Sequence, residues 1–442
     1  MRSIAACLTL AFALIGAVAV HAQGDATLRL TLDDAVARSI QASHRLAEAR
    51  ARVKVAQAVV SARDAADSPS LSAIAGYTRT NHVDEFVVPS PSGVPRVLYP
   101  DVPDNYRTRL DLQWPIYTGG RVDALERAAR AEAAAANADF AGARADLRLE
   151  TTRAFWALVT ARATTGVLEE AVRRAESQLS DARQRFSAGL VAPNDTASAE
   201  AQLSRQQMLL IEARNQRDAA SADLARLIGA DPSQAIEPVE PLDDLRPEAA
   251  VDIPALVASA HQSRSEVTAL QRQVDAAEAQ QAAARAGRHL TVAIVGGVDY
   301  ANPNPKIFPR AERWQESWDA GVNASLPLWD GGRTAADVAQ AAGSADAARQ
   351  RLADFESTLA VEVRQRALDL QSGRAAVTAA DAAVRAAAEA RRVVGERYRA
   401  GVISQTEVLE AEVALLQAQL DRTRALANVH LAEARLARAV GR

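Results

Sequence analysis

Residues 185–195 read RFSAGLVAPND, and residues 397–407, 212 positions further on, read RYRAGVISQTE. The same ungapped step carries WPIYTGGR (residues 114–121) onto LPLWDGGR (residues 326–333). Two dissimilar motifs sharing one offset imply a duplicated unit rather than chance. The unit runs from an alternating strand through Pro and Gly-Gly into a helical stretch, a Gly-punctuated turn and a returning helix. A duplicated unit of this kind builds a quasi-symmetric wall.

Outward from these motifs, residues 106–114 (YRTRLDLQW) set Tyr106, Thr108, Leu110, Leu112 and Trp114 on one face. Arg107, Arg109, Asp111 and Gln113 take the other, the period-two signature of a strand between two unlike environments. The copy alternates Trp318, Ala320, Val322, Ala324 and Leu326 with Asp319, Gly321, Asn323 and Ser325. Leu71–Thr80 and Leu290–Tyr300 read as weaker partner strands, separated from the strong ones by Pro-rich loops at Asn81–Asn105 and Ala301–Ser317. Four strands of about ten residues have the length that crosses a bilayer when tilted.

No proline interrupts Arg121–Arg185, and a helix of some 65 residues spans on the order of 100 Å. Asn194–Ile228 and Thr406–Val440 read as the returning helices, with Leu409, Val413, Leu416 and Leu420 at coiled-coil spacing. Helical stretches also run from Leu32 to about Ala66 and from Asp252 to about Gly287, with Pro254 in a first turn, where proline is tolerated. The expected organisation is a first repeat over 23–229, a Pro-rich linker over 230–252 carrying Pro232, Pro238, Pro241 and Pro247, and a second repeat over 253–442.

Composition agrees: apolar residues reach 48 % of the 442 while aromatics are only 4 %, because alanine is abundant. Small helix-forming residues suit long, closely approaching helices. A formal charge of −4 gives no nucleic-acid signature. Residues 1–22, with Arg2, an apolar run and Val20-His21-Ala22, read as a cleaved secretory signal. The one cysteine, Cys7, precedes the apolar run, an order that argues against lipidation there. The remainder lacks thiol chemistry, and no later stretch is apolar enough for a spanning helix.

Four amphipathic strands cannot close a barrel, and open edges are not tolerated in lipid. Closure therefore requires several chains: two give a filled eight-stranded barrel, three give twelve strands and room for a lumen. The polar strand faces would line that lumen. The fold expected is a mixed α and β membrane protein, a β-barrel joined to a hollow cylinder of long helices.

These residues resemble the TolC family of trimeric outer-membrane channels, over essentially the whole chain after the leader. The segments Phe186–Asp195 and Tyr398–Glu410 resemble the family's helix–turn–helix tips; Pro115 with Gly119 and Gly120, and Pro327 with Gly331 and Gly332, resemble its barrel-to-helix junctions. The resemblance implies a homotrimer in outer-membrane lipid, acting as the passive exit duct of an efflux pump or type I secretion system. It also implies tips (Gly189, Leu190, Val191; Gly401, Val402, Ile403) that dock a periplasmic adaptor attached to an inner-membrane pump. By position, Glu407 and Glu410 match the acidic rings that narrow the family's resting entrance, and Asp195 and Tyr398 match linking positions. Ile403 stands where some relatives carry an arginine.

Plainer readings stand beside these. Gly189 and Gly401 serve as helix C-caps, and Glu407 and Glu410 favour the positive end of a helix dipole. The Gly-Gly pairs lack the Lys-Ser/Thr of a phosphate loop. His44, His82, His261, His289 and His430 lack ligand spacing, and no nucleophile–base pattern suggests an enzyme. Neither cofactor nor metal is expected. A periplasmic adaptor would show small Gly-rich β domains around one hairpin, and a coiled-coil scaffold would lack strands.

Overall fold

The computed structural model describes residues 27–91, 93–245 and 252–442; the expected signal peptide, with Cys7, and residues 246–251 of the expected linker lie outside them. Among the described residues, no helix is long and apolar enough to cross a membrane.

The chain opens with strand β1 (Leu28–Leu30) and helix α1 (Leu32–Ala42), started by Thr31, whose Oγ1 accepts the Asp34 N–H at 3.1 Å. The first helical stretch is not continuous. Ser43 leaves the helix in an extended conformation and its hydroxyl caps a new one, α2 (His44–Asp64), by accepting the Leu46 N–H at 3.2 Å. Strand β2 (Ser70–Arg79) follows, then a short hairpin of β3 (Phe86–Val88) and β4 (Arg96–Tyr99). That hairpin occupies what the prolines suggest is plain loop. Strand β5 (Asp104–Tyr117) leads into α3 (Arg121–Ser187), 67 residues long, and α4 (Pro193–Ile228) returns along it.

After α4 the chain contributes β6 (Ile236–Pro238), which pairs in parallel with β1. The second half then repeats the plan: α5 (Ile253–Ser263), α6 (Ser265–Arg285), β7 (Thr291–Asn302), β8 (Gln315–Ser325), α7 (Arg333–Arg399, again 67 residues) and α8 (Gln405–Ala439). Elements α1, α2 and β2 recur 221 residues later; α3, its tip and α4 recur 212 later. The nine-residue difference falls wholly in the loop between the paired strands, where only the first half carries the β3–β4 hairpin.

The repetition extends to single contacts. Gly229, in left-handed geometry after α4, lies where a Cβ would come within 2.6 Å of Ala42; Gly441, after α8, meets Ser263 at 2.7 Å. Each returning helix thus ends against the break between two short helices. At the second break Arg264 replaces the serine, and its guanidinium donates to the Arg438 and Ala439 carbonyls at the end of α8, 3.1 Å each. A cation there offsets the negative end of the helix dipole.

Strands β2, β5, β7 and β8 form one antiparallel sheet in that order, leaving β2 and β8 as edges. The principal core lies far from the sheet, at the waist of the helices. Phe155, Leu158, Leu224 and Val429 are buried there, and Trp156 stacks on His430 with ring centroids 3.6 Å apart. The linker closes this core: Ile236 and Leu242 are buried in it, and the His430 imidazole Nε2 bonds the Leu242 carbonyl at 2.9 Å.

Candidate functional site

The register fixes the two sheet faces. Leu71 pairs with Leu112, Leu110 with Val298, and Val298 with Trp318, so one apolar face runs across all four strands. Arg109 pairs with Asp299 and Gly297 with Asp319, which places the charges together on the other face. The faces read from the alternation are the faces observed.

On the polar face Asp299 is fully buried under three cations: Arg107 Nε at 2.6 Å, Arg109 Nη1 at 2.5 Å and Lys306 Nζ at 2.9 Å. Arg109 also reaches Asp111 at 2.5 Å and Asp319 at 2.8 Å. It can do so because residue 297 is glycine; a Cβ there would stand 2.6 Å from the guanidinium. Lys306, which also bonds Asp319, belongs to the β7–β8 loop and folds that loop over the polar face. Asn304 fixes the fold-back by donating to Gln315 O and Ser317 Oγ, both at 2.9 Å. Arg310, lower in the same loop, lies over the Tyr99 ring and so ties in the β3–β4 hairpin. The resulting cavity, about 380 Å³, is lined by Gly76, Thr78, Arg107, Pro303 and Pro305 among others. Asp299 and Lys306 escape the sequence because their partners are set by strand register.

The junctions differ between halves. Gly119 and Gly120 have positive φ of 65° and 82°, Gly331 and Gly332 of 68° and 89°, values that disfavour any side chain. Gly119 is also enclosed, its carbonyl 2.8 Å from His289 Nδ1, whereas a Cβ at Gly331 would meet no described residue beyond its chain neighbours within 4 Å. After Pro115, Tyr117 is half exposed; after Pro327, Leu328 and Trp329 are each 89 % exposed. Asp330 starts α7 by accepting the Thr334 hydroxyl, the Thr334 N–H at 2.8 Å and the Gly332 N–H at 3.0 Å. Those bonds, chiefly from Thr334, hold its carboxyl at about 2.

At the tips Gly189 and Gly401 share a φ of 72°. The Leu190 N–H bonds Arg185 O at 2.9 Å and the Val402 N–H bonds Arg397 O at 3.0 Å, the same Schellman closure twice. No neighbour among the described residues crowds either glycine, so backbone geometry is what demands it. Leu190 and Val402 project into solvent, while Val191 and Ile403 are half-buried. Glu407 and Glu410 are both exposed, and Glu407 accepts the Ser404 N–H at a long 3.5 Å. The helix-capping role is therefore present.

Tyr398 is joined to the first tip through Arg185, whose guanidinium lies 4.5 Å from the ring centroid and donates to the Tyr398 carbonyl at 3.3 Å. The Tyr398 hydroxyl is buried and has no hydrogen-bond partner among the described residues; burial pushes its pKa up, and Asp195 adds to the rise. A link from Tyr398 to Asp195 is thus not made inside one chain. Arg185 was detectable only as the Arg that opens both tip motifs.

Above the tips a buried carboxylate joins three helices. Glu412 of α8 accepts from Arg174 Nε at 3.2 Å and Gln178 Nε2 at 3.1 Å, both on α3, and from Arg391 Nε at 2.5 Å on α7. This corrects the seam read from the sequence. The buried stripe of α8 runs through Val408, Glu412, Leu415 and Leu416, while Val413 is 44 % exposed. A paired charge takes the place that apolar spacing assigns to a valine.

A four-stranded sheet with one apolar and one ionic face, continuous with helices about 100 Å long, is the architecture of a channel-forming outer-membrane protein. The chain belongs to the outer membrane efflux protein family, whose model matches residues 35–230 and 256–442. It is 28 % identical over 330 residues to protein CyaE of Bordetella pertussis, covering 72 % of this chain and 68 % of that one. It is 26 % identical to the cobalt-zinc-cadmium resistance protein CzcC of Cupriavidus metallidurans, covering 80 % and 82 %. Its fold is that of the outer membrane protein VceC from Vibrio cholerae, with a TM-score of 0.76, 21 % identity, and 93 % and 96 % coverage. The protein is an outer-membrane exit duct whose helices extend into the periplasm.

Proposed function

We propose that three copies close a twelve-stranded barrel and a helical cylinder, and that this trimer is the passive outer-membrane stage of a tripartite efflux or secretion assembly. The carrying observation is the four-stranded sheet: it has one apolar and one ionic face and ends in the unpaired edges β2 and β8. In lipid those edges must be paired. The two repeats, 23–229 and 253–442 about the 230–252 linker, then act as six quasi-equivalent staves, after cleavage of residues 1–22. Leu190, Val191, Val402 and Ile403, beside their glycines, offer the apolar surface on which an adaptor docks, and that adaptor couples the duct to an inner-membrane pump. Glu407 and Glu410, three copies of each, concentrate negative potential at the periplasmic entrance, and Tyr398 and Asp195 meet across neighbouring chains. Cargo choice then rests with pump and adaptor.

The test is native mass measurement in detergent, followed by planar-bilayer recording. A trimer that conducts and favours cations is expected. A monomer retaining its full β content, or a trimer that never conducts, would contradict the proposal.

A further inference from the structure

The polar face of the sheet carries glycine at an equivalent place in each half. Gly76 of β2 and Gly297 of β7 correspond under the 221-residue step. Neither has positive φ, and glycine inside a strand often marks a place where another group comes close. At Gly297 that group is visible. The Arg109 guanidinium lies there, paired with Asp299 and Asp319, and a Cβ would stand 2.6 Å from it. At Gly76 a Cβ would meet no described residue beyond its chain neighbours within 4 Å. The space there belongs to the cavity of about 380 Å³ between the sheet and the β7–β8 loop.

The groups around the two glycines differ in sign. Gly297 pairs with Asp319 across the sheet and has Asp299 two residues on; the corresponding neighbours of Gly76 are Arg107 and Thr78. Where the second half offers two carboxylates to a cation, the first offers a guanidinium and a hydroxyl. Arg107 gives its Nε to Asp299, yet its side chain is 51 % exposed. From the loop, Arg310 donates to two neutral oxygens, the Tyr99 hydroxyl and Asn105 Oδ1, at 2.5 Å each. The acid in the lining, Asp111, is paired with Arg109 at 2.5 Å. Arg107, Arg109, Lys306 and Arg310 thus stand against Asp111, Asp299 and Asp319, which leaves one positive charge. The rest of the lining is apolar. Ile74 pairs with Arg109, which sets it on the ionic face, 57 % exposed, and Pro303 and Pro305 of the loop join it.

We infer that this cavity binds a small organic monoanion carrying an apolar ring system, its acid group between Arg107 and Arg310 and its ring on Ile74 and the two prolines. The volume is at the small end of ligand pockets, where a few placed polar groups on an apolar lining fix the ligand's orientation. A guanidinium supplies the forked donors that match a carboxylate. The site is built by one chain. Its place in the duct rests on the reading proposed above: the polar face lines the lumen, so the bound anion sits in the wall among the strand loops, at the end away from the tips. An anion held there is a cargo in transit or a solute taken from outside.

The probe is a fluorinated naphthoate, with the neutral fluorinated naphthylmethanol as its control, each followed by fluorine NMR line width against the full chain in lipid nanodiscs. The naphthoate should broaden saturably, and less at high salt; the alcohol should broaden no more than with empty nanodiscs. Gly76→Leu, which fills the cavity and removes no charge, should weaken binding about tenfold or more. Arg310→Gln should weaken it about tenfold and flatten the salt dependence. Should Arg310→Gln also free the loop, Gly76→Leu still decides. Equal binding of acid and alcohol, or binding unchanged in Gly76→Leu, overturns the site. In planar bilayers the naphthoate should reduce the conductance of the unaltered protein and not of Gly76→Leu. Block from the loop side identifies a solute taken from outside, and block from the tip side a cargo in transit. A conducting trimer that ignores the naphthoate overturns the site and leaves the duct standing. A protein that binds it and never conducts overturns the duct and leaves the site standing.

Discussion

The two 67-residue helices are alike in length, start and end, yet they live in different surroundings. Helix α3 buries twenty-one residues, α7 only seven. Helix α3 is packed by α1, α2, α4, α6 and α8, whereas among the described residues α7 is packed chiefly by α5, α6 and α8. Equal helices with unequal burial accord with the proposed closure by further copies: what α6 does for α3, no described element does for α7. The junctions repeat the contrast, one glycine enclosed by His289 and the other open.

The largest effect should come from positions that the duplication makes equivalent and the surroundings make unlike. Trp156 is buried against His430, while Leu368, 212 residues on, is 46 % exposed. Trp156→Ala should cost each subunit about 3–5 kcal/mol, read as a lower denaturation midpoint of the dissociated chain. Leu368→Ala should leave that midpoint unchanged and lower the temperature at which the oligomer dissociates. Equal responses of the single chain would erase the distinction between the helices.

Next is the carboxylate joining the two hairpins. Glu412→Gln leaves Arg174 half-paired inside the wall, at a cost of roughly 2–3 kcal/mol, below that of a fully buried pair because Arg391 retains water. Bilayer recordings should show more frequent opening. Glu407→Gln with Glu410→Gln, exposed on the same helix, should instead weaken cation selectivity, with a loss of stability smaller than that of Glu412→Gln. Interchanged outcomes would move the restraint from the hairpin contact to the rim.

Much of this was legible, and the failures share a cause. Strands such as 106–114 announce themselves because alternation records two environments at once, and the long helices because nothing breaks them before a glycine. Ser43 and Arg264 stay hidden: a helix interrupted for one residue keeps its composition on both sides. Glu412 hides for the converse reason, since a charge buried by partners on two other helices looks like a surface charge from its own. Asp299 and Lys306 become visible only once register is known. Tyr398 was singled out, but its contact with Arg185 joins residues 213 apart and follows from no local pattern.

A smaller effect should distinguish the tips from their helices. Gly189→Val and Gly401→Val each force a β-branched residue into left-handed geometry, at about 1–2 kcal/mol. Trimers should still form and reach the outer membrane, and transport should fall in both variants, more steeply in the double one. Retained transport in the double variant would remove the tips from docking.

The smallest is a pH response confined to one junction. Asp330 is held low by its bonds, so the cap it provides is complete above the usual carboxyl value of 3.8 and is lost as pH falls towards about 2. Thr118, in the corresponding place before α3, accepts the Val122 N–H at 3.3 Å and has no acid to titrate. Amide exchange at Thr334 should accelerate across that interval relative to Val122, and Asp330→Asn should abolish the difference. A parallel response at both amides would point to global loosening.

The matched length of α3 and α7 also limits how such a chain can change size. Inserting one residue into either helix turns everything beyond it by about 100° and lifts its tip by about 1.5 Å. The contacts of Arg185 with Tyr398, and of Glu412 with α3, would then point past one another. Seven residues restore the facing to within about 20° and add roughly 10 Å of reach. They do so without tilting the rim only when α3 and α7, with their returning helices, gain them together. Length in this architecture is inherited in matched heptads, so a reach suited to a wider periplasm would arrive in steps of two turns, taken in both halves of the gene at once.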